Sequence, residues 1–145
     1  MLRTSLSVLA DTGPLVALFD KTDHYHAQAM AFIGQFEGGL VSNWVIVTEV
    51  CYLLEFSVAA QLDFLRWIAQ GGLQLVELEE PALQHIPHAM EKYRDRPMDL
   101  ADASLIALSM QTGIRDIITL DSDFDFYRLP DRSKLKNQFT QMRKR

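Results

Sequence analysis

The 145-residue sequence predicts an α/β domain, a mostly parallel β-sheet flanked by helices. Three observations predict it. Short apolar runs of strand length alternate with helix-like segments of roughly ten to fifteen residues, the pattern of βαβ units. Glycine pairs at 38–39 and 71–72 fall between these segments and punctuate them. Acidic residues stand at the carboxyl ends of an early and a late apolar run, Asp11 and Asp121. The carboxyl ends of parallel strands are where such sheets place their ligand sites.

The elements follow in order. Residues 5–11 read as a buried strand. Pro14 suits the first turn of a helix, so residues 14–19 form a short one. Thr22 or Asp23 caps a second helix to about Phe36, and Gly38-Gly39 breaks it. Leu40-Val41 is a short strand, and Ser42 or Asn43 caps a helix over 43–56. Ser57 marks a join to a helix over 58–70, with Leu62, Leu65 and Ile68 on one side. Residues 73–78 form a strand, and Pro81 opens a helix to about Arg94. Asp95-Arg96-Pro97 is a loop, because a residue before proline avoids helix. Met98 or Asp99 starts the next helix, which Gly113 ends. Residues 116–120 are a strand, and 124–128 are expected to add a last one.

Composition bounds the class. The chain has the length of one domain, and 48% hydrophobic with 23% charged residues is ordinary for a globular protein. No apolar run approaches the ~20 residues of a membrane span. The apolar stretch after Arg3 reaches Asp11 at once and is expected as a strand, not a signal peptide. A single cysteine, Cys51, excludes an internal disulfide and a multi-thiolate metal site, and a reducing cytoplasm is expected. Net charge is −5, unevenly spread. Residues 128–145 hold seven of the 14 Lys and Arg and one acid, Asp131, so they carry +6 and leave −11 on residues 1–127. The expected organisation is one domain over 1–130 and a basic C-terminal tail over 131–145, able to attract a polyanion or simply solvated.

The candidate chemistry lies in the acids. Singly, each has a structural explanation. Asp11 suits an Asx-turn or a helix cap before Pro14, Asp99 and Asp102 have capping-box spacing, and Asp121-Ser122-Asp123 suits a turn. Together they read differently. Glu49 interrupts a segment that is apolar nearly all round, from Trp44 to Leu54, with no Lys or Arg between 43 and 56. Such a helix is expected to be largely buried, and a buried carboxylate needs a partner. Asp102 has a similar setting among Leu100, Ala101, Ala103, Leu105 and Ile106. Carboxylates that converge repel one another and call for a divalent cation. Their oxygens are hard donors suited to Mg²⁺ or Mn²⁺, and a cation-bound water serves phosphodiester hydrolysis without a His or Cys base. His24 with His26, and His85 with His88, lack the spacing or the third ligand for a metal site. Lys21, Arg94, Arg96 and Arg128 flank the acidic segments and are candidate phosphate contacts. Trp44 and Tyr52 are expected in the core.

Four segments carry a family resemblance: Leu9-Ala10-Asp11-Thr12-Gly13-Pro14-Leu15, Thr48-Glu49-Val50, 98–107 (Met98-Asp99-Leu100-Ala101-Asp102 onward) and 118–124 around Asp121. In this order and spacing they resemble the PIN-domain ribonucleases, above all VapC-type toxins of type II toxin–antitoxin pairs. The resemblance implies a three-layer sandwich on a sheet of about five strands. It implies that Asp11, Glu49, Asp102 and Asp121 hold Mg²⁺ or Mn²⁺, with Asp99 and Asp123 as auxiliary acids. It implies that the hydroxyls of Thr12 and Thr119 orient carboxylates or water. It further implies an RNA substrate, a small cognate antitoxin and a homodimer. Gly13-Pro14 departs from the small polar and aliphatic pair more usual in the family. Three alternatives stand beside this reading. A PIN nuclease outside a toxin pair acts in RNA processing or on DNA. A receiver-like signalling domain needs an acidic pair after strand one and a late Lys, which the chain lacks. The third alternative is a non-catalytic α/β binding module.

Overall fold

The computed structural model describes residues 6–139. Five strands form one sheet in the order β3-β2-β1-β4-β5: β1 (Ser7–Ala10), β2 (Gly39–Ser42), β3 (Gln74–Leu75), β4 (Asp116–Ile118) and β5 (Lys136–Asn137). Every pairing is parallel, with Val8 opposite Leu40, Leu9 opposite Ile117 and Ala10 opposite Ile118. The expected mostly parallel sheet is therefore all parallel. A strand covered on both faces reads as an unbroken apolar run, which is what Val8-Leu9-Ala10, Leu40-Val41 and Ile117-Ile118 are. The chain builds to one side of β1 first and returns to its other side as β4, so the order reverses between β1 and β4. In open parallel sheets that switch point is where the crevice forms.

Six helices connect the strands: α1 (Thr12–Phe19), α2 (His26–Gln35), α3 (Trp44–Leu53), α4 (Val58–Ala69), α5 (Ala82–Lys92) and α6 (Leu100–Thr112). Helix α1 packs on α2, α3 and α4, while α6 packs on α3 and α5. The caps are local chemistry. Asn43 Oδ1 accepts from Val45 N at 2.9 Å, Ser57 accepts from Ala60 N at 3.1 Å, and Asp99 accepts from Asp102 N at 2.8 Å. Pro14 sits in the first turn of α1, where its missing N–H costs nothing, so the Gly13-Pro14 departure leaves a regular helix. Gly113 closes α6 with φ 81°, a backbone conformation that side chains disfavour. Among the described residues no helix is long and apolar enough to cross a membrane.

Several expectations are corrected. Residues 124–128 form no strand: Asp121 caps Asp123 N at 2.9 Å, and a 3₁₀ turn (Ser122–Asp125) follows. The fifth strand is Lys136–Asn137, inside the stretch expected as a basic tail, where Lys136 N donates to the Arg115 carbonyl at 2.8 Å. Residues 140–145 of that tail lie outside the described residues. Only Gln74–Leu75 of the expected strand 73–78 pairs as strand. Helix α2 begins at His26, because Asp20 and Asp23 use their carboxylates on Thr22 and Tyr25 in the preceding turns. Helix α3 is not buried all round: Trp44 is 59% and Tyr52 66% exposed, since α1 and α6 cover only its inner face. On α4 the fully buried side chain is Phe64, while Leu62 and Leu65 are exposed.

Candidate active site

Asp11 follows β1 directly and caps α1, so one residue joins strand end to helix start. Its backbone N donates to the Ile118 carbonyl at 3.0 Å, which carries the β1–β4 ladder one step further. That step brings Thr119 alongside. Thr119 Oγ1 donates to Asp11 Oδ2 at 2.6 Å and accepts from Asp121 N at 2.9 Å. One buried hydroxyl thus ties the carboxylate at the end of β1 to the loop after β4. Asp11 Oδ1 accepts from Thr12 N at 2.8 Å, and Thr12 Oγ1 donates to Glu49 Oε1 from α3. The carboxylate of Glu49, expected to need a cation as its partner, is half-buried and already has a hydroxyl.

Helix α6 brings the remaining acids. Asp99 is its N-cap, and Asp102 lies in its first turn, 8% exposed. The Tyr127 hydroxyl donates to Asp102 Oδ2 at 3.3 Å. The Tyr127 ring is held edge-on by Tyr93 and Phe124, with centroids 5.1 and 5.3 Å away. Asn43 Nδ2 donates to Ser104 Oγ at 3.2 Å and fixes the start of α3 against α6. Ser42 Oγ donates to the Ala10 carbonyl at 2.9 Å, tying β2 to β1 below the site.

Asp11, Glu49, Asp99, Asp102 and Asp121 line one open cavity of about 300 Å³, and no Lys or Arg lines it. Burial first, then the charges of Asp121 and Glu49, push the Asp11 carboxyl up to about 6, although bonds from Thr119 and Thr12 pull the other way. Burial, then the charges of Asp99, Asp11 and Asp121, push Asp102 up to about 8. Burial and the neighbouring acids, Asp102 first, raise the Tyr127 phenol, so it remains a protonated donor. These acids are short of positive charge. Hard oxygen donors in that condition fit a divalent cation of the Mg²⁺ or Mn²⁺ kind. Among the described residues, no three acidic, His or Cys side chains already surround one ion position. Several of these carboxylates are instead engaged by the hydroxyls and backbone amides just described.

The other candidates separate. Asp123 turns outward to an ion pair with Arg96 at 3.1 Å, and that guanidinium lies 3.8 Å over the Phe126 ring. Arg94 pairs with Glu91 at 3.2 Å. Arg128 donates to the carbonyls of Asp125 and Tyr127 at 2.7 and 3.1 Å, and Lys21 stands in the exposed turn after α1. None of these four cations lines the acidic cavity. Sequence reasoning missed Tyr127, which carries no local signal beyond an aromatic six residues after Asp121.

Strand order and acid placement define a class: a parallel α/β domain with a carboxylate cluster at its switch point. The PIN domain family matches residues 8–130, and the chain belongs to that family. Ribonuclease VapC26 of Mycobacterium tuberculosis (strain ATCC 25618 / H37Rv) is 30% identical over 116 residues, spanning 79% of this chain and 86% of the relative. Two solved structures share the fold. M. tuberculosis VapC20, described as a Sarcin-Ricin loop cleaving toxin, superposes with a TM-score of 0.75 at 16% identity, covering 82% of this chain and 93% of that one. VapBC2 from Rickettsia felis, bound to a DNA fragment from its promoter, gives 0.60 at 11% identity, covering 86% and 94%.

Proposed function

We propose that this protein is a divalent-metal-dependent endoribonuclease, the toxin of a toxin–antitoxin pair, acting in the cytoplasm. The observation that carries the chemistry is the single cavity lined by five carboxylates and no cation, in a PIN-domain chain. The named relatives, a ribonuclease and a toxin that cleaves the Sarcin-Ricin loop, support RNA as substrate.

Asp11, Glu49, Asp102 and Asp121 would hold Mg²⁺ or Mn²⁺, with Asp99 in support. When bound, such an ion makes its water more acidic and offsets charge on the scissile phosphate. The chain's own residues prepare that site. Thr119 and Thr12 orient Asp11 and Glu49 by donating to one oxygen of each, leaving the other lone pairs to accept a ligand. Tyr127 steadies Asp102 in the same way. Asp123, held by Arg96, belongs to the rim.

A protein partner has a surface available. Trp44, Tyr52 and Phe56, on α3 and the turn after it, are each more than half exposed, more large apolar surface than a lone helix end explains. A small antitoxin and a second copy of the chain are the partners proposed. The test is cleavage of a mixed RNA pool by the purified protein in Mn²⁺ or EDTA, beside Asp102→Asn. Cuts that need metal and vanish in the variant support the nuclease. Metal-independent cuts, or cuts retained by Asp102→Asn, overturn it.

A further inference from the structure

A second cavity, of about 520 Å³, opens on the β4–β5 edge and meets the acidic one at Leu120 and Asp121, which line both. Its charge is different. Lys134 and Lys136 line it opposite two acids, Asp121 and Asp125, whereas the acidic cavity has no Lys or Arg at all. We infer that this cavity is the docking site for the RNA backbone phosphate next to the scissile one, held by Lys134 and Lys136. The inference rests on the ribonuclease reading of the acidic cavity.

The argument is electrostatic and topological. An RNA strand carries a negative charge at every nucleotide, and the acidic cavity offers no Lys or Arg to meet one. A phosphate flanking the cut therefore needs cations close by but outside the carboxylate cluster. Of the cations singled out in the sequence, Arg96 is committed to Asp123, Arg94 to Glu91 and Arg128 to backbone carbonyls, and Lys21 stands in the exposed turn after α1, outside the acidic cavity. The two lysines stand in the adjoining cavity, and their position is set by the sheet. Lys136 is in β5, opposite Asp116, and the next residue, Asn137, exchanges bonds with the backbone of Thr119 at 3.1 and 3.3 Å. Thr119 is the residue whose hydroxyl holds Asp11. A rigid strand pair thus sets the lysine cavity at a fixed offset from the acids. Lys134 has a long, exposed pairing with Asp125, at 3.9 Å, which a phosphate can displace.

The test uses a labelled single-stranded RNA oligonucleotide with the Asp102→Asn protein in Mn²⁺, which binds without cutting. Adding Lys134→Gln and Lys136→Gln is expected to weaken binding several-fold at about 0.1 M salt. It is also expected to flatten the dependence of log K on log salt by about 0.7, for the one phosphate that the two lysines no longer neutralise. Arg66→Gln with Lys92→Gln removes the same charge on α4 and α5 and is expected to leave the slope unchanged. A lysine double variant whose slope stays put, or a control pair that flattens it equally, overturns the site. If the parent protein cuts RNA while the lysine slope is unchanged, the nuclease reading survives and this inference alone falls. If RNA is bound through the lysines but never cut, the cavity stands and the nuclease reading falls.

Discussion

Helices α3 and α6 each carry one candidate catalytic acid in an apolar run, yet they meet the solvent differently. Every residue from Ala101 to Ser109 of α6 is buried, because α3 and α5 both pack on it. Helix α3 buries Ile46, Val47 and Val50 and leaves Trp44, Tyr52 and Leu53 exposed. The difference teaches what each acid is for. Asp102 sits where desolvation and three neighbouring carboxylates act on it together. Glu49 sits at the open lip, held by one hydroxyl, beside apolar surface suited to a protein partner. One helix buries its acid, and the other leaves its acid beside an exposed apolar face.

The comparison can be broken by measurement. The largest effect is expected from Asp102→Asn: a loss of Mn²⁺-dependent cleavage beyond about a hundredfold, since even the outer partners of metal ligands cost roughly 10–100-fold. It should also raise the metal-free melting temperature by removing repulsion, and Glu49→Gln should raise it less. An equal rise for both would mean the two settings do not differ electrostatically. Next come two substitutions read by urea unfolding. Leu105→Ala, fully buried on α6, should cost about 2–5 kcal/mol. Tyr52→Ser, on the exposed face of α3, should stay within about 0.5 kcal/mol. A large loss at Tyr52 in the isolated chain would place that face in the core after all.

The pH profile sharpens the same contrast. Asp11 and Asp102 hold protons more tightly in the folded chain, at about 6 and about 8, than at the ordinary 3.8. Between about pH 4 and pH 8 the folded state carries the extra protons, so metal-free stability falls as pH rises through that window. The contribution is whole below the unfolded value and gone once pH passes the folded one. Melting curves in EDTA should show the fall. Asp102→Asn should flatten its upper part, from about 6 to 8, and saturating Mn²⁺ should oppose it by favouring the ionised acids. A profile that rises with pH in EDTA would contradict these shifts. Tyr127→Phe removes a hydroxyl shared between Asp102 at 3.3 Å and the Pro97 carbonyl at 3.4 Å and should weaken Mn²⁺ binding about tenfold by calorimetry at an unchanged fold.

Much of the site was legible because its local chemistry is short-range. Asp11 before Thr12-Gly13-Pro14, Asn43 before Trp44 and Asp99 three residues before Asp102 announce helix starts, and all three cap as expected. The order of strands and helices was legible for the same reason. The apolar pattern of α3 was misleading, since a helix apolar all round fits a buried core and a helix with a partner face equally well. The last strand was missed because Lys136-Asn137 has no strand propensity, and its two residues join only by finding the free edge of β4.

Alternating apolar runs, turn residues and acids at the strand ends determined by themselves an α/β domain, and the four motif segments carried the resemblance to the PIN family. Tertiary structure alone decided which acids share a cavity, and that Asp123 turns out to Arg96 while Tyr127 turns in to Asp102. It also decided that Lys136 of β5, with Lys134 just before it, stands beside the acids. The physical reason is range. Caps and periodicity act over a few residues, whereas Thr119 reaching Asp11 spans 108 positions of chain and exists only because β1 and β4 lie side by side.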